Sequence, residues 1–132
     1  KKAWAGGPSR KSWGSTTMAV SGIILLFFLI SHIATLKYGA YYASSGPGPE
    51  PGERDIYRLV VEVFQSPGMV LFYVVSMAVI GMHLRHGISS AFQSLGLMTP
   101  GWTPAILSGG LWLAILLSAG FAVLPVWVYF YL

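Results

Sequence analysis

A long apolar stretch from Ser66 to Leu97 constrains this chain more than any other feature. Its first residues suit a helix start, because Ser66 can cap free amides and Pro67 needs no N–H at the first helical position. The apolar run that follows is long enough, at about 1.5 Å per residue, to cross a hydrocarbon core about 30 Å thick. Near its far end come three ionisable residues, His83, Arg85 and His86. Ionisable groups at membrane depth are costly and mark functional sites by default.

Composition places the whole chain among integral membrane proteins. Hydrophobic residues make up 55% of the sequence and charged residues 9%, which is too little polar surface for a soluble domain of this length. The sequence predicts an all-α integral membrane fold. We expect three transmembrane helices, at residues 17–38, 67–96 and 103–132.

The segments outside these spans carry most of the charge. Residues 1–16 are basic, so the positive-inside rule predicts a cytoplasmic juxtamembrane segment at the N-terminal end. Residues 39–66 form an external loop, because the run GPGPEPG cannot lie inside a helix. Within that loop, residues 55–65 alternate apolar and polar faces at helical spacing. They predict a short interfacial helix with Asp55 as its N-cap.

Residue usage limits the chemistry. The chain has no cysteine, which excludes disulfides, iron–sulfur ligation and thiolate zinc sites within it. The net charge of +4 comes from the juxtamembrane end and indicates a lipid surface, with no nucleic acid as a partner. Histidine is therefore the one strong soft-metal ligand. The chain has three histidines, His32, His83 and His86.

The depths of two histidines differ. His32 lies roughly 14 residues, or about 21 Å, from the inner edge of the first span, and His86 roughly 19 residues, or about 28 Å, from the outer edge of the second. The gap of about 15–20 Å is too large for one metal ion, since a metal–nitrogen bond is about 2 Å. Each histidine can instead be an axial ligand of its own b-type haem, with Gly22 and Gly87 as small residues for haem packing.

Two haems with two histidines each need four ligands, so at least two ligands must come from outside this sequence. His83 and Arg85 are candidates for the vicinity of a haem propionate or a quinone. His83 has the alternative of bonding to a backbone carbonyl, and Arg85 that of a charge snorkelling to the inner surface.

With these residues in place, the chain resembles the cytochrome b subunit of succinate dehydrogenases and fumarate reductases, in the branch called the b558 family. The resemblance is carried by SGIILLFFLISHIATLKYG, by DIYRLVVEVFQSPGMVLFYVVSMAVIGMHLRHGISSAFQSLGL and by the last helix ending AGFAVLPVWVYF. Family members have five transmembrane helices and two b haems. The resemblance maps this chain onto the last three helices of that haem-binding bundle.

The resemblance implies a non-catalytic electron-transfer and anchor subunit of a succinate:quinone oxidoreductase. It implies His32 as a ligand of the outer haem and His86 as a ligand of the inner one. It also implies menaquinone as the quinone, a flavoprotein and an iron–sulfur subunit on the cytoplasmic face, and a bacterial inner membrane. Whether the complex forms a higher oligomer stays open.

Two other interpretations stay open at this point. One is a haem-free structural anchor whose histidines pack or bind quinone. The other is a transporter or channel subunit with a proton path along its histidines.

Overall fold

The computed structural model describes residues 13–43 and 53–132. Its helices there are α1 (Trp13–Leu36), α2 (Ile56–Phe64), α3 (Pro67–Ser94) and α4 (Thr103–Tyr131). Three of them, α1, α3 and α4, are long and apolar enough to cross a membrane. The predicted all-α class and the three long apolar helices are therefore confirmed. Residues 1–12 of the predicted juxtamembrane segment and residues 44–52 of the predicted loop lie outside the described residues.

Local chemistry explains how α3 begins and ends. Pro67 occupies its first turn, but the hydroxyl of Ser66 makes no capping bond. The amide of Met69 donates instead to the backbone carbonyl of Ser66, at 3.0 Å, which leaves the hydroxyl without the amide that a cap would satisfy. At the other end Gly96 has φ +71°, and the amide of Leu97 donates to the carbonyl of Phe92 at 3.0 Å. This is a Schellman motif, in which a glycine at positive φ terminates the helix.

The first turn of α4 differs from expectation. The sequence suggests Thr103 as its cap, followed by Pro104. Thr103 is already the first helical residue, and its hydroxyl donates to the carbonyl of Thr99 at 2.7 Å. The amide of Ile106, which a cap at Thr103 would satisfy, donates instead to the carbonyl of Trp102 at 3.0 Å, so the threonine has no role as a cap.

The three long helices form an open row with α3 in the middle. Within the described residues α3 packs on both α1 and α4, and α1 and α4 do not contact each other. At the α3–α4 contact the hydroxyl of Ser118 donates to the carbonyl of Met77 at 2.7 Å. A Cβ built on Gly81 would lie 2.9 Å from the Cβ of Ser118. The two backbones are close here because position 81 has no side chain.

Short α2 closes one end of this row, which we call the α2 end. The carboxylate of Asp55 accepts from the amide of Arg58 at 2.9 Å, which is the predicted cap. Leu59 and Phe64 are buried, and Phe64 belongs to the apolar core with residues of all three long helices. Ile56, in the first turn of α2, is 56% exposed, whereas Leu59 is 3% exposed.

Arg54 joins the end of α1 to the start of α2. Its guanidinium donates to the carbonyl of Lys37 and to the carbonyls of Gly39 and Ala40, each at 3.2 Å. A cation at a helix C-terminus also complements the helix dipole. Arg54 therefore links the start of α2 to the end of α1 through charged hydrogen bonds, in addition to the apolar packing of α2 on the row.

Candidate histidine sites in the helix row

His32 lies near the α2 end, on the face of α1 that packs against α3. It is half-buried, and its ring centroid is 5.6 Å from that of Phe28. Its Nδ1 lies 3.3 Å from the hydroxyl oxygen of Tyr73 on α3. The sequence drew attention to His32 but not to Tyr73, which is its polar neighbour across the helix contact.

Tyr73 is held on several sides by aromatic rings. Its ring is 5% exposed and meets Phe28, Phe64 and Phe72 edge-on, at centroid distances of 5.2, 4.8 and 5.7 Å. Edge-to-face contacts of this kind are favourable and directional. The hydroxyl of Tyr73 therefore has a defined orientation towards His32, and α2 contributes to it through Phe64.

His83 faces α1 further along the row. Its Nδ1 lies 2.8 Å from the hydroxyl oxygen of Ser21, and that hydroxyl donates to the carbonyl of Met18 at 3.1 Å. Since a serine has a single hydroxyl hydrogen, Ser21 accepts from the Nδ1–H of His83. A Cβ on Gly22 would lie 3.7 Å from the Cε1 of His83. Within this chain Gly22 thus packs against His83.

His86 is the exposed histidine of the row. Its Nδ1 lies 3.1 Å from the carbonyl oxygen of Met82, one turn earlier on α3. A carbonyl can only accept, so Nδ1 carries the proton and Nε2 keeps its lone pair in the neutral ring. Ile88 of α3 contacts Gly110 of α4. His86 lies two residues before Ile88, which places their side chains about 160° apart around the helix. The free Nε2 therefore belongs to the side of α3 turned away from α4.

The neighbours of His86 leave space around it. A Cβ built on Gly87 would meet nothing within 4 Å. Arg85 is exposed, and no hydrogen bond or ion pair holds its guanidinium within the part of the chain that the structure describes. This end of α3 thus presents a ligand nitrogen, a cation and an open glycine position together.

Two contacts set the register of α1 against α3. His32 is level with Tyr73 and Ser21 with His83, so the two helices run antiparallel. His86 lies 13 residues beyond Tyr73, which corresponds to about 20 Å along α3. His32 and His86 are therefore too far apart for one metal ion, as their depths predicted. In the described ranges no group of three or more histidine, cysteine or acidic side chains is placed to hold a metal ion.

Among the described residues, His32 and His86 each offer a single imidazole, and neither belongs to a complete metal site. His86 offers an oriented, accessible Nε2 beside an open glycine. His32 offers an imidazole whose Nδ1 lies 3.3 Å from the hydroxyl oxygen of Tyr73, whereas a ligating histidine usually donates its second N–H to a carboxylate, a carbonyl or water. Gly22 does not offer the same open position as Gly87, because the ring of His83 lies against it.

Sequence reasoning missed Ser21 and Tyr73. Both are polar side chains inside apolar spans, and such residues seldom lack a partner there. Their position within the spans was the available signal. Comparison of the chain with protein-family models, with curated proteins and with solved structures found no match.

Proposed function

We propose that this chain is a di-haem b membrane anchor subunit of a succinate:quinone oxidoreductase, as the resemblance of its sequence implies. His32 and His86 each supply one axial nitrogen, to the outer and the inner haem respectively. The supporting observation is the Nδ1–H of His86 bonded to the Met82 carbonyl, which leaves Nε2 free as a ligand. When bound, haem b supplies reversible one-electron transfer at its iron.

The exposed apolar surface supports an assembly with further helices. Ile23, Ile30 and Phe27 of α1 are 60–70% exposed. The other helices pack against α1 on one side. In a membrane such faces are covered by lipid or by other helices. The proposal assigns the missing histidine ligands to helices outside this sequence, packed on the exposed face of α3 that carries His86.

The described residues serve this role by binding and orientation. His86 is held by its own helix, and His32 by a contact across helices. His83 and Arg85 lie at the His86 end of α3, where they are proposed partners for propionate or quinone oxygens. The chain performs no succinate chemistry in this proposal. The flavoprotein and iron–sulfur subunits dock at the cytoplasmic face, near His86, and menaquinone is the proposed quinone.

The arrangement of polar groups favours fixed cofactors over a proton path. Ser21 and His32 lie on one face of α1, and the side chains between them on that face are those of Leu25 and Phe28. Neither side chain can carry a proton.

On α3 the buried Ser76 lies between Tyr73 and His83. Its hydroxyl donates within its own helix, to the carbonyl of Phe72 at 2.7 Å, so it does not join the His32 contact to the His83 contact.

The test is a reduced-minus-oxidised spectrum of the purified complex, with haem quantified per copy of this chain. We expect about two b-type haems in the native complex. His32→Ala and His86→Ala should each remove one haem and leave the other, because each removes one axial ligand. Retention of both haems in both variants would contradict the assignment.

Ser94→Ala is the matched control, since its hydroxyl donates within α3, to the carbonyl of Ser90 at 2.9 Å, and it has no proposed role at either haem. It should retain both haems. Circular dichroism of each variant in detergent establishes that the helices still form. Absence of haem from the native complex would leave a bare anchor or a transport subunit.

A further inference from the structure

The hydroxyl of Tyr73 is a polar contact that reaches the imidazole of His32 from another helix. The two atoms are 3.3 Å apart, and the tyrosine is almost fully buried among Phe28, Phe64 and Phe72. A buried tyrosine hydroxyl ordinarily has a hydrogen-bond partner. The packing around the ring therefore serves to hold this hydroxyl against Nδ1.

The direction of this hydrogen bond decides what His32 can bind. If the tyrosine donates to Nδ1, the proton of the neutral imidazole sits on Nε2, and Nε2 cannot coordinate a metal. If Nδ1–H donates to the tyrosine oxygen, Nε2 is free. A partner that accepts from the second nitrogen fixes the tautomer and the ring plane of a ligating histidine and raises its basicity.

We propose that Tyr73 is a positioning residue for His32: its oxygen accepts from Nδ1–H and thereby directs Nε2 outward as an axial ligand, while the tyrosine O–H has no acceptor among the described residues. This inference rests on the proposed haem function. It makes the two histidines unlike each other, because His86 is oriented by a carbonyl of its own helix. His32 depends on α3 and, through the contact of Phe64 with Tyr73, on α2.

The test is Tyr73→Phe in the purified complex, which removes the hydroxyl and keeps the ring that packs in the core. Without an acceptor the imidazole is less basic and stabilises the ferric state less, so the midpoint potential of one haem should rise. A hydrogen bond of ordinary strength corresponds to as much as about a tenfold change in an equilibrium constant, or roughly 59 mV for one electron. The ferric electron paramagnetic resonance signal of that haem should also shift, because the plane of His32 is less constrained.

Tyr129→Phe is the matched control. Tyr129 lies on α4 at the same end of the row, and its ring contacts Phe130. Removal of the Tyr129 hydroxyl should leave the midpoint potentials and the ferric signals of both haems unchanged. The second haem provides an internal control, since its ligand His86 does not contact Tyr73.

The possible results separate this inference from the proposed function. A rise confined to one haem in Tyr73→Phe, or loss of that haem with the helices intact, supports the positioning role. Two haems with unchanged potentials and signals would overturn it and leave the proposed function standing. A native complex without haem would overturn both.

Discussion

Ser21 on α1 and His83 on α3 are joined by a hydrogen bond of 2.8 Å between the serine Oγ and the histidine Nδ1. Together with the contact between His32 and Tyr73, it sets the register of two antiparallel apolar helices. Apolar side chains alone leave helices in a membrane free to slide, because lipid is as apolar as they are. The two polar contacts therefore define the depths at which the three histidines lie.

Ser21→Ala should destabilise the contact between α1 and α3. The substitution leaves the Nδ1–H of His83 without its acceptor, and an unsatisfied buried donor costs about 1–3 kcal/mol. Thermal unfolding of the complex in detergent measures the change. Ser89→Ala is the control, because the hydroxyl of Ser89 donates within its own helix, to the carbonyl of His86 at 3.0 Å. An equal effect of both substitutions would argue against a role for Ser21 in the register.

Gly81→Val should destabilise the contact between α3 and α4. A Cβ at this position lies 2.9 Å from the Cβ of Ser118, so one helix must shift, at a typical cost of about 1–3 kcal/mol for an overpacked site. Gly120→Val on α4 is the control, because a Cβ there meets nothing within 4 Å. The thermal unfolding midpoint, measured in detergent, should be lower for Gly81→Val than for Gly120→Val. Equal midpoints would mean that the close approach at Gly81 is not needed.

Gly87→Val tests whether haem packs beside His86. Within this chain a Cβ at Gly87 meets nothing within 4 Å, so the helices should tolerate valine with little change in stability. If a macrocycle lies against this position, the branched side chain excludes it, and one of the two haems should be lost or weakly held. The haem content of the purified complex provides the measurement.

Gly109→Val on α4 is the matched control for Gly87→Val, because it is equally open and lies on α4, whereas His86 lies on the side of α3 turned away from α4. It should keep both haems. Full retention of both haems in Gly87→Val, with native spectra, would show that Gly87 is not a packing position.

Tyr42 should ionise at higher pH than an ordinary tyrosine. Its pKa is raised because its hydroxyl bonds to the carboxylate of Glu62, with burial and the charge of Glu62 adding to the shift and Arg58 opposing it. Because the pKa of Tyr42 is raised in the folded protein, the stabilisation of the fold by this hydrogen bond is present below the usual tyrosine pKa of about 10. It is lost as pH rises through the raised pKa. A pH titration of the tyrosine Cζ resonance by NMR in detergent measures it.

Glu62→Gln should lower the pKa of Tyr42 towards the usual tyrosine value, because the amide carries no charge. Glu53→Gln is the control, since Glu53 is not among the groups that shift Tyr42. The prediction is wrong if the two variants titrate alike.

The sequence by itself determined the class of fold and much of where its helices lie. Three apolar runs long enough to cross a membrane predict three long helices, because an apolar run of that length has few other ways to satisfy its backbone. Pro67 and Gly96 marked the two ends of α3 through local chemistry that needs no tertiary contact. The separation of His32 from His86 also followed from chain geometry alone, since the rise per residue converts position into depth.

The tertiary structure decided which side chains meet. Rotation about each helix axis and the register between helices depend on packing, so the sequence did not show that Tyr73 lies at His32 or Ser21 at His83. The same reason explains why Gly81 and Gly110 occupy close contacts, whereas Gly109 and Gly120 face open space. Ser66 occupies the expected N-cap position without a side-chain cap, and the cap expected at Thr103 was wrong, because backbone carbonyls accept from the amides of Met69 and Ile106.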